Sequence, residues 1–195
     1  MCRVWEHPGT LAGEVVRLEP LGSVHLDGLW HASRDPRVWT WLSIHQPATE
    51  AELADWLDEA IEGPYYAFAT VLEASGEVTG STRFLNARPH DRSVEIGWTW
   101  LAPAAWGTGA NVEAKLLMLG HAFERWDCRR VELKTDASNE RSRGAMEAFG
   151  AVFEGIHRKH MLVRGGENRD SAWYSVLDDE WPAVRAGLLR RLGRG

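Results

Sequence analysis

The stretch Val94–Trp126, VEIGWTWLAPAAWGTGANVEAKLLMLGHAFERW, decides how the rest of the chain is read. It opens with a run in which Val94, Ile96, Trp98 and Trp100 alternate with Glu95, Gly97, Thr99 and Leu101. Successive side chains of a strand point to opposite faces of a sheet, so these two sets are expected on opposite faces. Pro103 ends the strand. Trp106-Gly107-Thr108-Gly109-Ala110-Asn111 leads into a helix whose apolar side is read from the spacing of Leu116, Leu119, Phe123 and Trp126. Glycine at a helix start lets backbone N–H groups approach a ligand with no Cβ between them. The first helical turn has unpaired N–H donors and the positive end of the helix dipole, a setting that suits a phosphate.

Two phosphate-binding signatures do not fit. The P-loop requires Gly-Lys-Ser/Thr at the helix start, but here Lys115 follows Ala114. The dinucleotide fingerprint requires Gly or Ala three residues after the second glycine, a position held by Val112. Downstream stands RRVELKTDASNERSRGAMEAFGAVFEGIHRKHM, Arg129–Met161. It reads as a strand over Val131–Thr135, a polar turn, a short helix over Asn139–Phe149, and a strand over Val152–Val163.

On these residues the chain resembles the Gcn5-related N-acetyltransferases, in particular the RimJ/RimL-like branch. The acetyl-CoA loop of that superfamily reads Gln/Arg-x-x-Gly-x-Gly/Ala. Its Gly-x-Gly part is Gly107-Thr108-Gly109 here, while the Gln/Arg slot falls on Ala104, a departure. The Asn-x-x-Ser of the branch is Asn139 and Ser142. Its later motifs appear in order as Phe149-Gly150-Ala151, Glu154-Gly155, Arg169-Asp170 and Glu180-Trp181-Pro182. The resemblance spans Glu14 to Leu192 and is strongest from Glu95 onward.

The resemblance implies an α/β fold: a twisted, mixed, mostly antiparallel sheet flanked by helices, with two central parallel strands splayed to admit pantetheine. It implies transfer of an acetyl group from acetyl-CoA to an amine by direct attack, and within this branch to a protein N-terminal α-amine. Small-molecule amines such as antibiotics or polyamines are an alternative acceptor class. A non-catalytic CoA-binding module is a further alternative, to which Ala104 lends some weight. The backbone of Trp100 and Leu101 is expected to pair with the pantetheine amides. Trp106, Gly107, Thr108, Gly109, Ala110 and Asn111 are expected around the phosphates, with Asn139 and Ser142 toward the pantetheine arm and the thiol. Glu95 is the candidate base. Trp30, Trp39, Trp41 and Trp98 are candidates to line the acceptor pocket. Tyr174 is a poor match to the tyrosine that protonates the leaving thiolate in many relatives. Similar proteins are often dimers, so a homodimer is an open expectation.

Composition bounds these readings. A chain of 195 residues with 44% hydrophobic and 26% charged residues is read as one globular domain, residues 14–195, preceded by a loose arm, Met1–Gly13. The net charge of −6 argues against a nucleic-acid partner and suits a basic acceptor. Arg185, Arg190, Arg191 and Arg194 read as a solvated helix end. Cys2 and Cys128 supply neither a disulfide framework nor a zinc set. His157 and His160, three apart on a strand, are expected on opposite faces, and no metal site is expected. With no signal-peptide core and no run long enough to span a bilayer, a cytoplasmic protein with no membrane partner is expected.

Overall fold

Strand β5, Ser93–Leu101, sits near the middle of an eight-stranded sheet. The computed structural model describes residues 5–194. Cys2 and the first residues of the expected arm lie outside the described residues. The other strands are β1 (Leu11–Ala12), β2 (Val16–Pro20), β3 (Tyr66–Leu72), β4 (Val78–Arg88), β6 (Arg130–Asp136), β7 (Val152–Val163) and β8 (Glu167–Leu177). They run in the order β1-β2-β3-β4-β5-β6-β8-β7. Every neighbouring pair is antiparallel except β5–β6. Helices α1 (Leu26–Ala32) and α2 (Glu50–Glu62) pack on one face, α3 (Ala110–Glu124), α4 (Glu140–Phe149) and α5 (Trp181–Arg191) on the other. No helix among the described residues is long and apolar enough to cross a membrane.

Local chemistry sets several boundaries as the sequence predicts. Thr49 caps α2 by accepting the Glu52 N–H at 3.2 Å, and Gly63 ends the helix. Glu52 returns a bond to the N–H of Ala48 rather than of Thr49, a shifted capping box. Asn139 caps α4, and Gly150, at φ 100°, ends it in the left-handed conformation that glycine adopts without strain. The expected loose arm is, from Trp5 on, part of the domain. Trp5 is buried and stacks on Trp126 at 4.8 Å, and Leu11–Ala12 pairs with β2.

One expectation about β5 is overturned. Register runs from Arg83↔Gly97 to Ser81↔Trp100, so Thr82 alone faces both Trp98 and Thr99. This is a β-bulge, and Trp98 takes φ 49° to make it. The extra residue reverses the alternation beyond it. Val94 and Ile96 pack under α3 with Leu101, whereas Trp100 packs under α2 with Trp39 and Trp56. Trp98 and Trp100 therefore share a face with Glu95 instead of opposing it. Sequence alternation has no means of registering a bulge that the partner strand imposes.

Helix α3 also departs from its pattern. Its buried side is Ala110, Glu113, Ala114, Lys115, Met118, Leu119 and Ala122, while Leu116 and Phe123 are only half-buried. Phe123 stacks on Trp181 of α5 at 5.5 Å. Two ionisable residues thus face inward. Glu113 accepts backbone N–H groups from Glu14, Val15 and Val16 and an Arg194 guanidinium bond at 2.6 Å. Lys115 donates to Thr99 Oγ1 at 2.8 Å, and burial pushes its ammonium down to about 7. With the folded value below the unfolded one near 10.4, Lys115 releases a proton on folding between about pH 7 and 10. Its contribution to stability therefore rises with pH across that window. Lys115→Met is expected to raise the melting temperature at pH 7 and to flatten this slope. Denaturation at pH 7, 8.5 and 10 checks it, and comparison with wild type cancels the buried Cys128 thiol, whose upward shift to about 12 has the opposite sign.

Candidate active site

Parallel pairing between β5 and β6 holds only from Ser93↔Arg130 to Ile96↔Leu133. Beyond it, Gly97–Leu101 and Lys134–Asp136 have no mutual pairing, so the two strands part. Ala102 N–H donates to Thr79 O on β4 at 2.7 Å, and by strand alternation the main chain of Trp100 also turns toward β4. Leu101 turns the other way, and its carbonyl accepts Trp106 Nε1–H at 2.8 Å. Of the two residues expected to offer backbone to the pantetheine amides, Leu101 faces the parting and Trp100 does not. Trp100 instead serves the core with its ring.

The loop below the parting is built for close approach. Gly107 and Gly109 have φ 76° and 91°, and Gly109 is the residue from which α3 starts. A side chain on Gly107 would meet open space. Among the described residues, no backbone hydrogen bond uses the N–H of Gly107, Thr108, Gly109, Asn111 or Val112. Thr108 turns its hydroxyl inward, donating to Ala105 O at 2.8 Å. Trp106 lies between two guanidinium groups, Arg141 at 3.9 Å and Arg37 at 5.3 Å from its ring. The sequence reading missed both. Arg141 brings positive charge to the loop where Ala104 brings none, while the Arg37 guanidinium is paired with Asp35 at 2.6 Å. These free donors at a helix start fit the pyrophosphate of a CoA thioester.

Across the parting, at the start of α4, Asn139 is buried and its Oδ1 accepts the Ser142 N–H at 3.1 Å. The cap occupies the carbonyl oxygen and leaves the Asn139 amide NH2 and the Ser142 hydroxyl without a partner among the described residues. Tyr174 is fully buried, accepts from Arg143 Nε at 3.1 Å and donates to Glu147 at 2.9 Å. Burial is the main cause that raises its phenol, so Tyr174 serves the fold.

Glu95 lies on the opposite side of the sheet from α3, 1% exposed. Asn86 Nδ2 donates to its Oε2 at 2.8 Å. The Lys134 ammonium straddles the carboxylate, 3.1 Å from Oε2 and 3.0 Å from Oε1. Only the Oε2 contact is aligned as a hydrogen bond, which leaves Oε1 as the freer oxygen. Beside it Gly97 has no side chain, and a Cβ there would stand 3.3 Å from Oε1. Lys134 also lies 5.0 Å from the Trp173 ring.

His157 and His160 meet on this same face. A register shift between His157 and Met161, with Lys159 at φ 49°, brings their rings to 5.6 Å, both against Trp173. The expectation of opposite faces fails for the same reason as in β5, an uncounted bulge. His160 is lowered by burial and by the Lys134 charge, and its Nδ1 lies 3.0 Å from Ser171 Oγ. Among the described residues no group of three or more side chains could hold a metal ion.

The four candidate tryptophans divide. Trp98 is half-buried on the Glu95 face, with Arg83 at 4.8 Å from its ring. Trp39 is 3% exposed and bonds Ser33 O through its indole, a core residue with no surface left for an acceptor. Trp30 is half-buried against the core under α1 and α2 and carries Arg34 on its ring at 4.0 Å. Trp41 is half-buried in the turn after Trp39, which Arg164 of the β7–β8 hairpin fastens through Leu42 O, at 2.7 Å, and Ser43 O, at 2.8 Å.

A mixed sheet parted between its parallel strands, a glycine loop with free donors at one end of the parting and a buried carboxylate on the far face together define an acyl-CoA-dependent acyltransferase architecture. The model of the acetyltransferase (GNAT) domain family matches residues 16–152, and the chain belongs to that family: it is a GNAT N-acetyltransferase. The chain is 28% identical over 190 residues to "Putative ribosomal N-acetyltransferase YdaF" of Bacillus subtilis, covering 92% of this chain and 96% of that one. It is 39% identical to a crystal structure of a GCN5-related N-acetyltransferase from Brucella melitensis, with TM-score 0.90 over 95% of this chain and 85% of that one. The fold is also that of Mycobacterium smegmatis RimJ in complex with CoA-disulfide, at 23% identity and TM-score 0.77 over 95% and 92% of the two chains.

Proposed function

We propose that this chain transfers the acetyl group of acetyl-CoA to an α-amine at a protein N-terminus. The observation that carries the reading is the pairing of free N–H donors in the Gly107–Gly109 loop beside the parting with the freer Glu95 oxygen on β5, two residues before the strands part and on the other face of the sheet. Acetyl-CoA brings the activated acyl group. The chain's own residues orient it and the acceptor. The Gly107–Asn111 donors hold the phosphates, Leu101 and Asn139 meet the arm, and Ser142 lies beside the thiol. Glu95 takes the amine proton as the amine attacks. An α-amine, with pKa near 7.7–8.0, is free base about one time in ten at pH 7, so it demands less of a base than a lysine near 10.4. The ribosomal acetyltransferase among the relatives supports a protein acceptor.

The experiment is CoA release with four acceptors: a peptide with only its α-amine free, the same peptide with only a lysine free, spermidine, and none. Release fastest with the α-amine supports the reading. Release with spermidine alone would move the acceptor to small polyamines. Gly107→Val places a branched side chain in the open space over the loop donors and is expected to weaken acetyl-CoA binding at least tenfold in calorimetry. Unchanged affinity in the folded variant would remove the phosphates from this loop.

A further inference from the structure

Arg83 heads the fully enclosed side chains by size, at 1% exposed, and it has no hydrogen-bonding or ion-pair partner among the described residues. Its guanidinium carbon lies 4.7 Å from the Trp56 ring, 5.1 Å from the Tyr65 ring and 4.8 Å from the Trp98 ring. Aromatic faces balance the charge of a guanidinium, but they offer nothing to the N–H donors in its plane. Two of those donor atoms, Nε and Nη2, are buried and unsatisfied. Glu59 of α2 acts on Arg83 through space, without contact, and burial pushes the guanidinium down to about 10. Arg169, the other buried guanidinium with an unsatisfied atom, differs in having both Asp136 and Glu95 acting on it.

Position gives Arg83 its meaning. Arg83 faces Gly97 and Leu85 faces Glu95 in the β4–β5 ladder, so Arg83 and Glu95 are diagonal neighbours on one face. Such neighbours stand roughly 7–8 Å apart in an antiparallel pair. Gly97, which pairs with Arg83, carries no side chain, and a Cβ there would meet Leu85 at 3.0 Å and Glu95 Oε1 at 3.3 Å. Trp98 is held at φ 49°, a conformation rare for a bulky residue, and thereby brings its indole over Arg83.

The geometry points to an acceptor that carries a carboxylate close to its amine, with the carboxylate on the in-plane donors of Arg83 and the amine at Glu95. A guanidinium fork matches a carboxylate with two parallel hydrogen bonds, which a lysine ammonium does not reproduce. This rests on the acetyl transfer proposed above and specifies the charge that its acceptor carries beside the amine. The carboxylate has two possible sources: the side chain of an acidic first residue of a polypeptide, or the α-carboxylate of a free amino acid.

The test compares kcat/KM within two pairs, a peptide beginning with Glu against one beginning with Gln, and free glutamine against its α-amide. Wild type is expected to favour the acid in one pair by about tenfold to a hundredfold, the range of a hydrogen bond to a charged group. The preferring pair identifies the source. In Arg83→Gln the ratio is expected to fall near one, and in Arg83→Lys to lie between. Ratios near one in wild type, or a preference that survives Arg83→Gln, overturn the proposal. If Arg83→Gln does not fold, the wild-type and Arg83→Lys ratios decide. If no amine releases CoA, the acetyl-transfer reading fails by itself. The acid–amide difference in thermal shift, read on wild type and Arg83→Lys, then still tests the anion site.

Discussion

Glu95→Gln is expected to lower turnover at pH 6 by about 10²–10⁴-fold, the usual contribution of a general base. The substitution keeps the shape and loses the proton acceptor. Affinity for acetyl-CoA is expected to survive, because the loop and Leu101 lie beyond the bulge, across the sheet from the carboxylate. The loss should shrink as pH rises, since more acceptor then arrives as free base. It should also be smaller for an α-amine than for a lysine, whose pKa is more than two units higher. Turnover of both enzymes from pH 6 to 9 with both acceptors is the measurement. Lys134 and Asn86 hold the carboxylate, so melting temperatures of the two proteins must be compared alongside. A variant within about twofold of wild type at pH 6, with equal stability, removes Glu95 from the chemistry and leaves orientation as its role.

Glu113→Ala is expected to destabilise the fold by about 3–5 kcal/mol, the cost of leaving a buried charged network without one member. Glu113 is 1% exposed, and its carboxylate ties β2 and the loop before it to α3 and to Arg194 beyond α5. Without it three backbone N–H groups lose their acceptor and the Arg194 guanidinium is left with Glu14 alone. At this chain length a loss of that size lowers the melting temperature by roughly 10 °C. The sign with pH follows from the shift. Burial alone would raise the Glu113 carboxyl, but the bonds from Glu14, Val16, Arg194 and Val15 outweigh it and lower it. The stabilisation is therefore complete above the unfolded carboxylate value near 4.3 and fades as pH falls through the folded one. Wild type and variant should differ most at neutral pH and draw together as pH falls through the folded value. Equal melting temperatures at pH 7 would show that the network contributes nothing.

The parts of the site that were legible in the sequence are those fixed by local backbone rules. Gly107 and Gly109 stand at positive φ, and Asn139 and Gly150 bound α4, because turns and caps demand these residue types nearby. The α/β class follows from patterning, while the mixed sheet with its splayed parallel strands comes from the family resemblance. What was not legible depends on partners distant in the chain. The bulge at Trp98 arises against Thr82, and it moves Trp98 and Trp100 to the Glu95 face. The shift in β7 likewise gathers His157 and His160. Nothing in the sequence marks Glu113 and Lys115 as buried, since charged residues are rarely buried unless paired, and the groups that receive Glu113 lie nearly a hundred residues away. Arg83 sits in an alternating strand with nothing nearby in sequence to mark it, since its three rings come from α2, the α2–β3 turn and β5.

One acetyl group is expected to pass from acetyl-CoA to the α-amine of an acceptor bound to this protein. The direct measurement is mass spectrometry of a peptide bearing one free α-amine and one lysine, incubated with acetyl-CoA and the enzyme, with the modified residue located by fragmentation. A single acetyl group is expected on the N-terminal nitrogen, formed at a rate that Glu95→Gln reduces. An unmodified peptide in the presence of bound acetyl-CoA, or an acetyl group only on the lysine, would contradict it.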